Sequence, residues 1–164
     1  MIIKAYDLNN AFQKIINYNL NLFYGENLGM MDDFKKEIIK KNKNLNLIRK
    51  NQDEILKNTE LFFSELLNMS LFEEKKIFFI SRADDKIIDL VKNIKGKMSI
   101  NKIFLFSGIL NKTSKLRTYF EKSKEYSVIP CYPDDELTIK KIITSRLANF
   151  QNLDRDCITA IQES

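Results

Sequence analysis

Leu20-Asn21-Leu22-Phe23-Tyr24-Gly25-Glu26-Asn27-Leu28-Gly29-Met30-Met31 is the stretch on which the fold turns. Leu20, Leu22, Phe23 and Tyr24 form a short apolar run closed by Gly25, which reads as a core strand. Met30, Met31, Phe34 and Ile38 then recur at helical spacing, the mark of a helix with one buried face. A strand that gives way at once to an amphipathic helix is one repeat of an α/β fold.

The rest of the chain repeats that unit. Ile77-Phe78-Phe79-Ile80 and Ile103-Phe104-Leu105-Phe106 are continuous apolar runs, as expected of strands covered on both faces. Leu45, Leu47 and Ile48 suggest a half-exposed strand, and Tyr126, Val128 and Ile129 a last one, with Pro130 and Pro133 bounding its exit. Between them lie helical stripes. Ala11, Phe12, Ile15 and Ile16 follow a short Ile2-Ile3 start and an Asp7 cap, and Phe62, Phe63, Leu66 and Leu67 follow Asn58 or Thr59. Ile87, Ile88, Val91 and Ile94 follow Asp84 or Asp85 and stop at Gly96; Leu116, Tyr119 and Phe120 follow Thr113 or Ser114. The pattern predicts an α/β domain around a mostly parallel five-stranded sheet. From Asp134 onward, Ile139, Ile142, Ile143, Leu147 and Phe150 fit a long amphipathic helix. Residues 153–164 read as another that stops without a cap, as if the chain were the front part of something larger.

Composition removes several kinds of chemistry. With 164 residues and no histidine, the chain has length for one cored domain and the start of a second, but no Ser-His or Cys-His catalysis and no histidine metal site. Cys131 and Cys157 lack CxxC spacing, so a zinc site is not expected, and Cys131 reads as a small buried side chain. No apolar run approaches the roughly 18 residues a membrane span requires. The early acid in Met1-Ile2-Ile3-Lys4-Ala5-Tyr6-Asp7 argues against a signal peptide, making the cytoplasm the default. Asp32-Asp33 and Asp134-Asp135 are adjacent pairs that do not converge on one point, so they read as solvated helix starts.

The net charge of +5 is concentrated. Residues 35–50 hold Lys35, Lys36, Lys40, Lys41, Lys43, Arg49 and Lys50 against the single acid Glu37. Such a stretch suits a polyanion. A chain rich in Lys, Asn and Ile, as A+T-biased codons give, also produces it as an ordinary solvated face, and that is the reading the residues favour.

A strand, a glycine and a helix invite a phosphate-loop reading. A working loop needs GxxxxGK[ST], in which Lys reaches the terminal phosphates and Ser/Thr binds Mg²⁺. Met30 and Met31 stand after the glycine instead, and Ser81-Arg82 follows the strand where metal-binding acids are needed. ATP hydrolysis is not expected.

Leu71-Phe72 is harder to place. It falls in Asn68-Met69-Ser70-Leu71-Phe72-Glu73-Glu74-Lys75-Lys76, after a helix and before a buried strand, where the chain usually runs over the surface. A large aromatic there needs a local pocket or a partner protein. On the residues alone, local core is the commoner of the two.

Three segments carry a resemblance. Leu22-Phe23-Tyr24-Gly25-Glu26, the run Asn68–Ile80 with its Ser-Leu-Phe turn, and Phe104-Leu105-Phe106-Ser107-Gly108 through Leu110-Asn111-Lys112-Thr113-Ser114-Lys115-Leu116 together resemble the N-terminal region of the bacterial DNA polymerase III delta subunit, the "wrench" of the clamp loader. Asn111 departs from an Asp common in the family, a harmless change at a turn. The family also continues into the rest of a small helical domain and a collar, and neither is expected within these 164 residues.

The resemblance implies a P-loop NTPase-like, AAA+-type three-layer domain over 1–133, with a degenerate nucleotide site, and the start of a helical lid over 134–164. It implies that Leu71 and Phe72 enter the hydrophobic pocket of the ring-shaped beta sliding clamp, with Met69 and Ser70 shaping the turn. Partners would be the ATPase subunits, delta-prime and, through the assembled complex, DNA. No catalytic residue, metal or cofactor of its own is implied. Contact of Lys35, Lys36, Lys40, Lys41 and Lys43 with DNA or neighbouring subunits is the functional reading of the basic stretch, set against a stand-alone nucleic-acid-binding module.

Overall fold

The computed structural model describes residues 1–3, 8–42, 46–67, 75–94, 101–133 and 139. The chain divides into two units, Met1–Cys131 and Tyr132–Ser164, and every strand and helix described below belongs to the first.

Five strands, β1 (Leu20–Gly25), β2 (Asn46–Asn51), β3 (Lys76–Ser81), β4 (Lys102–Ser107) and β5 (Ser127–Cys131), make one sheet in the order β2-β3-β4-β1-β5. Every pairing between them is parallel. Parallel neighbours need crossovers, and right-handed crossovers fix which face each helix takes. The path from β1 to β2 runs across the sheet in one direction and the later paths run back. The helix α2 (Leu28–Lys41) therefore covers one face. The helices α3 (Gln52–Lys57), α4 (Thr59–Leu67), α5 (Ile88–Ile94) and α6 (Lys115–Lys122) cover the other.

The two cores follow that division. Phe23, Phe79, Phe104 and Phe106 pack with Met31, Phe34 and Ile38 of α2 and with Ala11, Phe12 and Ile15 of α1 (Leu8–Ile15). Leu20, Leu22, Phe78, Ile80, Ile103 and Leu105 pack with Phe62, Leu66, Val91, Leu116 and Phe120. Strand side chains alternate between faces, so burial of both sets accounts for the unbroken apolar runs. Ring contacts join the first core, with Phe23 5.1 Å from Phe34 and stacked 5.1 Å from Phe106. This is the three-layer α/β domain expected from the sequence.

Some expectations need correction. β5 does not stop before Pro130 but runs through it to Cys131, with Pro130 in register with Tyr24. β5 is an edge strand, where alternate N–H groups have no ladder partner and proline is tolerated. Ile16 and Leu67, assigned to buried stripes, are 38% and 44% exposed at the ends of their helices. The helix α3 was not anticipated, although Asn51 and Glu54 form a reciprocal capping box at its start. The readings of Asp7, Leu45, Gly96 and the helices beyond residue 133 lie outside the described residues, Ile139 apart.

Candidate interaction site

In an open parallel sheet, ligands bind beyond the carboxyl ends of the strands. The turn there between β1 and α2 is only Glu26-Asn27 long. Gly25 has φ 137°, a region closed to side chains, and an added Cβ would lie 2.0 Å from the Cys131 carbonyl oxygen. The Asn27 amide donates to that same oxygen at 3.1 Å, and the Gly25 amide donates to the Gly108 oxygen at 3.1 Å. The Leu28 amide donates to Glu26 O at 2.9 Å, and the Met30 amide to the Asn27 side-chain Oδ1 at 2.9 Å. A phosphate cradle works by presenting free backbone N–H groups. Here the amides of Asn27, Leu28 and Met30 already have acceptors, and the Met31 side chain is buried in the core. Such a turn is a poor fit for nucleotide phosphates.

The carboxyl end of β3, separated from β1 by β4, carries Ser81 and Arg82 rather than acids. Ser81 Oγ donates to Lys50 O at 3.3 Å, and Arg82 takes a left-handed φ of 57°. Among the described residues no cluster of three or more acids or cysteines is placed to hold a metal ion. Cys131 is fully buried, and burial pushes its thiol up to about 12, so it carries no thiolate at neutral pH.

The four residues assigned to clamp binding, Met69, Ser70, Leu71 and Phe72, lie outside the described residues. What is described is the stem on either side. Asn101, 7% exposed, donates from Nδ2 to Leu66 O at 2.7 Å, while its Oδ1 accepts from the Lys76 amide at 2.9 Å. Lys76 Nζ adds a bond to Glu65 O at 2.9 Å, and Lys50 Nζ meets the Glu65 carboxylate at 2.7 Å. The last turn of α4 and the first residue of β3 are thereby tied together. Asn101 was not singled out in the sequence. Its partners lie 35 and 25 residues away, so no local pattern announces it.

The basic helix has its own acids. Lys35 meets Asp32 at 2.8 Å, Lys36 meets Asp33 at 3.9 Å and Lys41 meets Glu37 at 3.3 Å, all at i, i+3 or i+4 spacing. Lys35 also lies over the Phe106 ring and Lys41 over the Phe12 ring, at 4.7 and 4.4 Å. The Lys35 ammonium, by hydrogen bond and charge, holds the Asp32 carboxyl below the usual carboxylate range. Counting charge from residue 35 omits Asp32 and Asp33, which sit one turn earlier on the same helix. Lys40 is exposed, and Lys43 lies outside the described residues.

No protein-family model matches the chain. A curated relative, the probable DNA polymerase III subunit delta of Rickettsia prowazekii (strain Madrid E), is 25% identical over 143 residues, which cover 86% of this chain and 43% of the relative. The chain is similar to a DNA polymerase III delta subunit. The Bacillus subtilis DNA clamp loader delta protein (YqeN) shares the fold, with a TM-score of 0.64 at 11% identity, over 90% of this chain and 48% of that one. The chain thus spans less than half the length of either delta protein.

The likeness to delta subunits read from the sequence is borne out at this level. One of its segments is well defined in the structure. Ser114 caps α6 by accepting from the Arg117 amide at 3.1 Å. Asp85, which follows β3, reaches the same helix start, accepting from Ser114 Oγ at 2.6 Å and from the Lys115 and Leu116 amides at 3.1 and 3.0 Å. Those bonds, the Ser114 hydroxyl first, hold the Asp85 carboxyl below its ordinary range. The sequence offered Asp84 or Asp85 as the cap after β3. Asp84 takes that task, accepting from the Lys86 amide at 2.8 Å, and Asp85 serves the helix beyond β4.

Proposed function

We propose that this chain is the front part of a clamp-loader delta subunit that binds the beta sliding clamp and takes part in loading it on primed DNA during replication. The observation that carries the reading is the match to a delta subunit over most of the chain, joined to the tied stem on either side of residues 68–74. Met69 and Ser70 shape the turn. Leu71 and Phe72 are the anchors that enter a pocket on the clamp. Burying each contributes about 1.5–3 kcal/mol, and such apolar anchors dominate interfaces. A stem closed by Asn101 presents them with less chain entropy to lose on binding. Binding opens the ring only insofar as the open state offers the anchors better contacts than the closed one.

The chain acts without catalysis of its own. The bonded amides of the β1–α2 turn, with Met30 and Met31 where Lys and Ser/Thr would work, support that reading. Partner ATPase subunits hydrolyse ATP, delta-prime completes the loader, and the assembly serves a cytoplasmic DNA polymerase III holoenzyme. Residues 134–164 begin the helical lid domain. A stand-alone nucleic-acid-binding module built on residues 35–50 draws less support, because Lys35, Lys36 and Lys41 already face acids on α2.

A pull-down with the beta clamp tests the reading. The wild-type chain is expected to retain the clamp, and the Leu71→Ala, Phe72→Ala double variant to lose it while unfolding at nearly the same temperature. Intact binding with a large loss of stability would return the pair to the domain's own core.

A further inference from the structure

A cleft of ≈ 580 Å³ opens between α5 and α6, on the face of the sheet away from α2. That volume lies within the roughly 300–1,000 Å³ range of small-ligand sites. Its lining combines cations with rings: Lys92, Lys115 and Lys122 stand with Tyr119, Tyr126 and Ile88, beside threonine and serine hydroxyls. Lys115, Tyr119 and Lys122 follow i, i+4, i+7 spacing, so one face of α6 presents them all. Lys92 has Asp89 at 3.5 Å, whereas among the described residues neither Lys115 nor Lys122 has an ion-pair partner. Asp85, whose charge Lys115 feels, spends its oxygens on the start of the helix.

The floor of the cleft holds the telling group. Tyr126 is 9% exposed, and among the described residues its buried hydroxyl has no partner in good hydrogen-bond geometry, the Tyr119 side chain being the polar group that acts on it. Burial keeps this phenol protonated, and hence a donor, across the physiological range. Its ring lies 5.9 Å from Tyr119 and 5.7 Å from Phe120, which holds it in place. A buried polar group met only by one neighbouring hydroxyl has bonding capacity left over, and that calls for an explanation. Ammonium groups, hydroxyls and a phenol donor around an aromatic floor match the oxygens of a phosphate and a flat body attached to it.

We propose that this cleft binds an organic phosphate of mononucleotide size, with the phosphate on Lys115, Lys122 and the Tyr126 hydroxyl and the planar body against Tyr119 and Ile88. A free nucleotide and the 5′-terminal nucleotide of a nucleic-acid strand share that chemistry. The site is distinct from the turn after β1 and does not rest on the clamp reading.

The test uses calorimetric or NMR titration of the full chain with ADP, with inorganic phosphate and with a 5′-phosphorylated oligothymidylate. ADP or the oligonucleotide is expected to bind saturably and more tightly than phosphate. ADP as the tighter ligand identifies a free nucleotide, and the oligonucleotide a strand end. The Lys115→Ala, Lys122→Ala double variant is expected to weaken binding about tenfold or more. Tyr126→Phe keeps the ring and is expected to leave the melting temperature unchanged or higher while still weakening binding several-fold. No saturable binding by either nucleotide probe, binding no tighter than that of phosphate alone, or binding indifferent to all these substitutions would overturn the proposal.

Discussion

The turn after β1 and the connections around β3 and β4 lie on the same sheet but are held by different means. Gly25 and Asn27 are fixed by main-chain atoms, the Cys131 and Gly108 carbonyls, and the fit leaves no room for a Cβ. Around β3 and β4 the work is done by side chains from far along the chain: Asn101 clasps Leu66 to Lys76, and Asp85 holds the start of α6. A backbone-held turn tolerates almost no substitution at its glycine. Side-chain clasps can be removed one at a time, and their removal reports what each one holds.

The largest effect is expected at Gly25. Gly25→Ala forces the left-handed strain and the contact with the Cys131 carbonyl together, and should cost about 3 kcal/mol or more in urea unfolding. A cost below about 1 kcal/mol would mean that the turn relaxes and the contrast is lost. Next comes Asn101→Ala, which strips the Lys76 amide and the Leu66 carbonyl of a partner and should cost about 1–3 kcal/mol. Under the proposed function it should also weaken clamp binding, because the stem no longer closes.

Asp85→Ala should cost about 1–2 kcal/mol, in the range of a lost helix cap. Its pH dependence has a definite sign. The folded carboxyl titrates below its unfolded value, so its contribution is present above about pH 4 and is lost as pH falls through the folded pKa. The stability difference between wild type and Asp85→Ala should shrink on acidification below that point, and a constant difference would rule out the charged cap. The smallest effects are expected on α2, where Lys35→Gln or Lys36→Gln should each shift stability by about 0.5 kcal/mol or less. Such variants test the solvated-face reading through the salt dependence of DNA binding, which they should leave nearly unchanged.

The same contrast explains what could be read from the sequence. The strands, their order along the chain and the buried stripes were legible because period-2 and period-3.6 patterns are local. Gly25 was legible as the end of a strand, though not as the residue pressed against Cys131, an approach that only the β1–β5 pairing creates. The α3 helix carries a local signal in Asn51-x-x-Glu54, the spacing of a capping box. Asn101, the Asp85 cap and the cleft at Tyr126 had no local signal, since each joins positions brought together by crossovers. Residues 35–50 taught the reverse lesson: the count of lysines was right, but the acids that answer them begin at Asp32, just outside the window. Leu71-Phe72 stood out because no period could bury the pair, and its assignment to a partner came from family likeness.

The most direct measurement is the affinity of the full chain for the beta clamp, taken for wild type and for the Leu71→Ala, Phe72→Ala variant alongside their melting temperatures. Loss of measurable binding at an unchanged melting temperature is the predicted result. Equal affinity in the two proteins, with the variant markedly less stable, would contradict it.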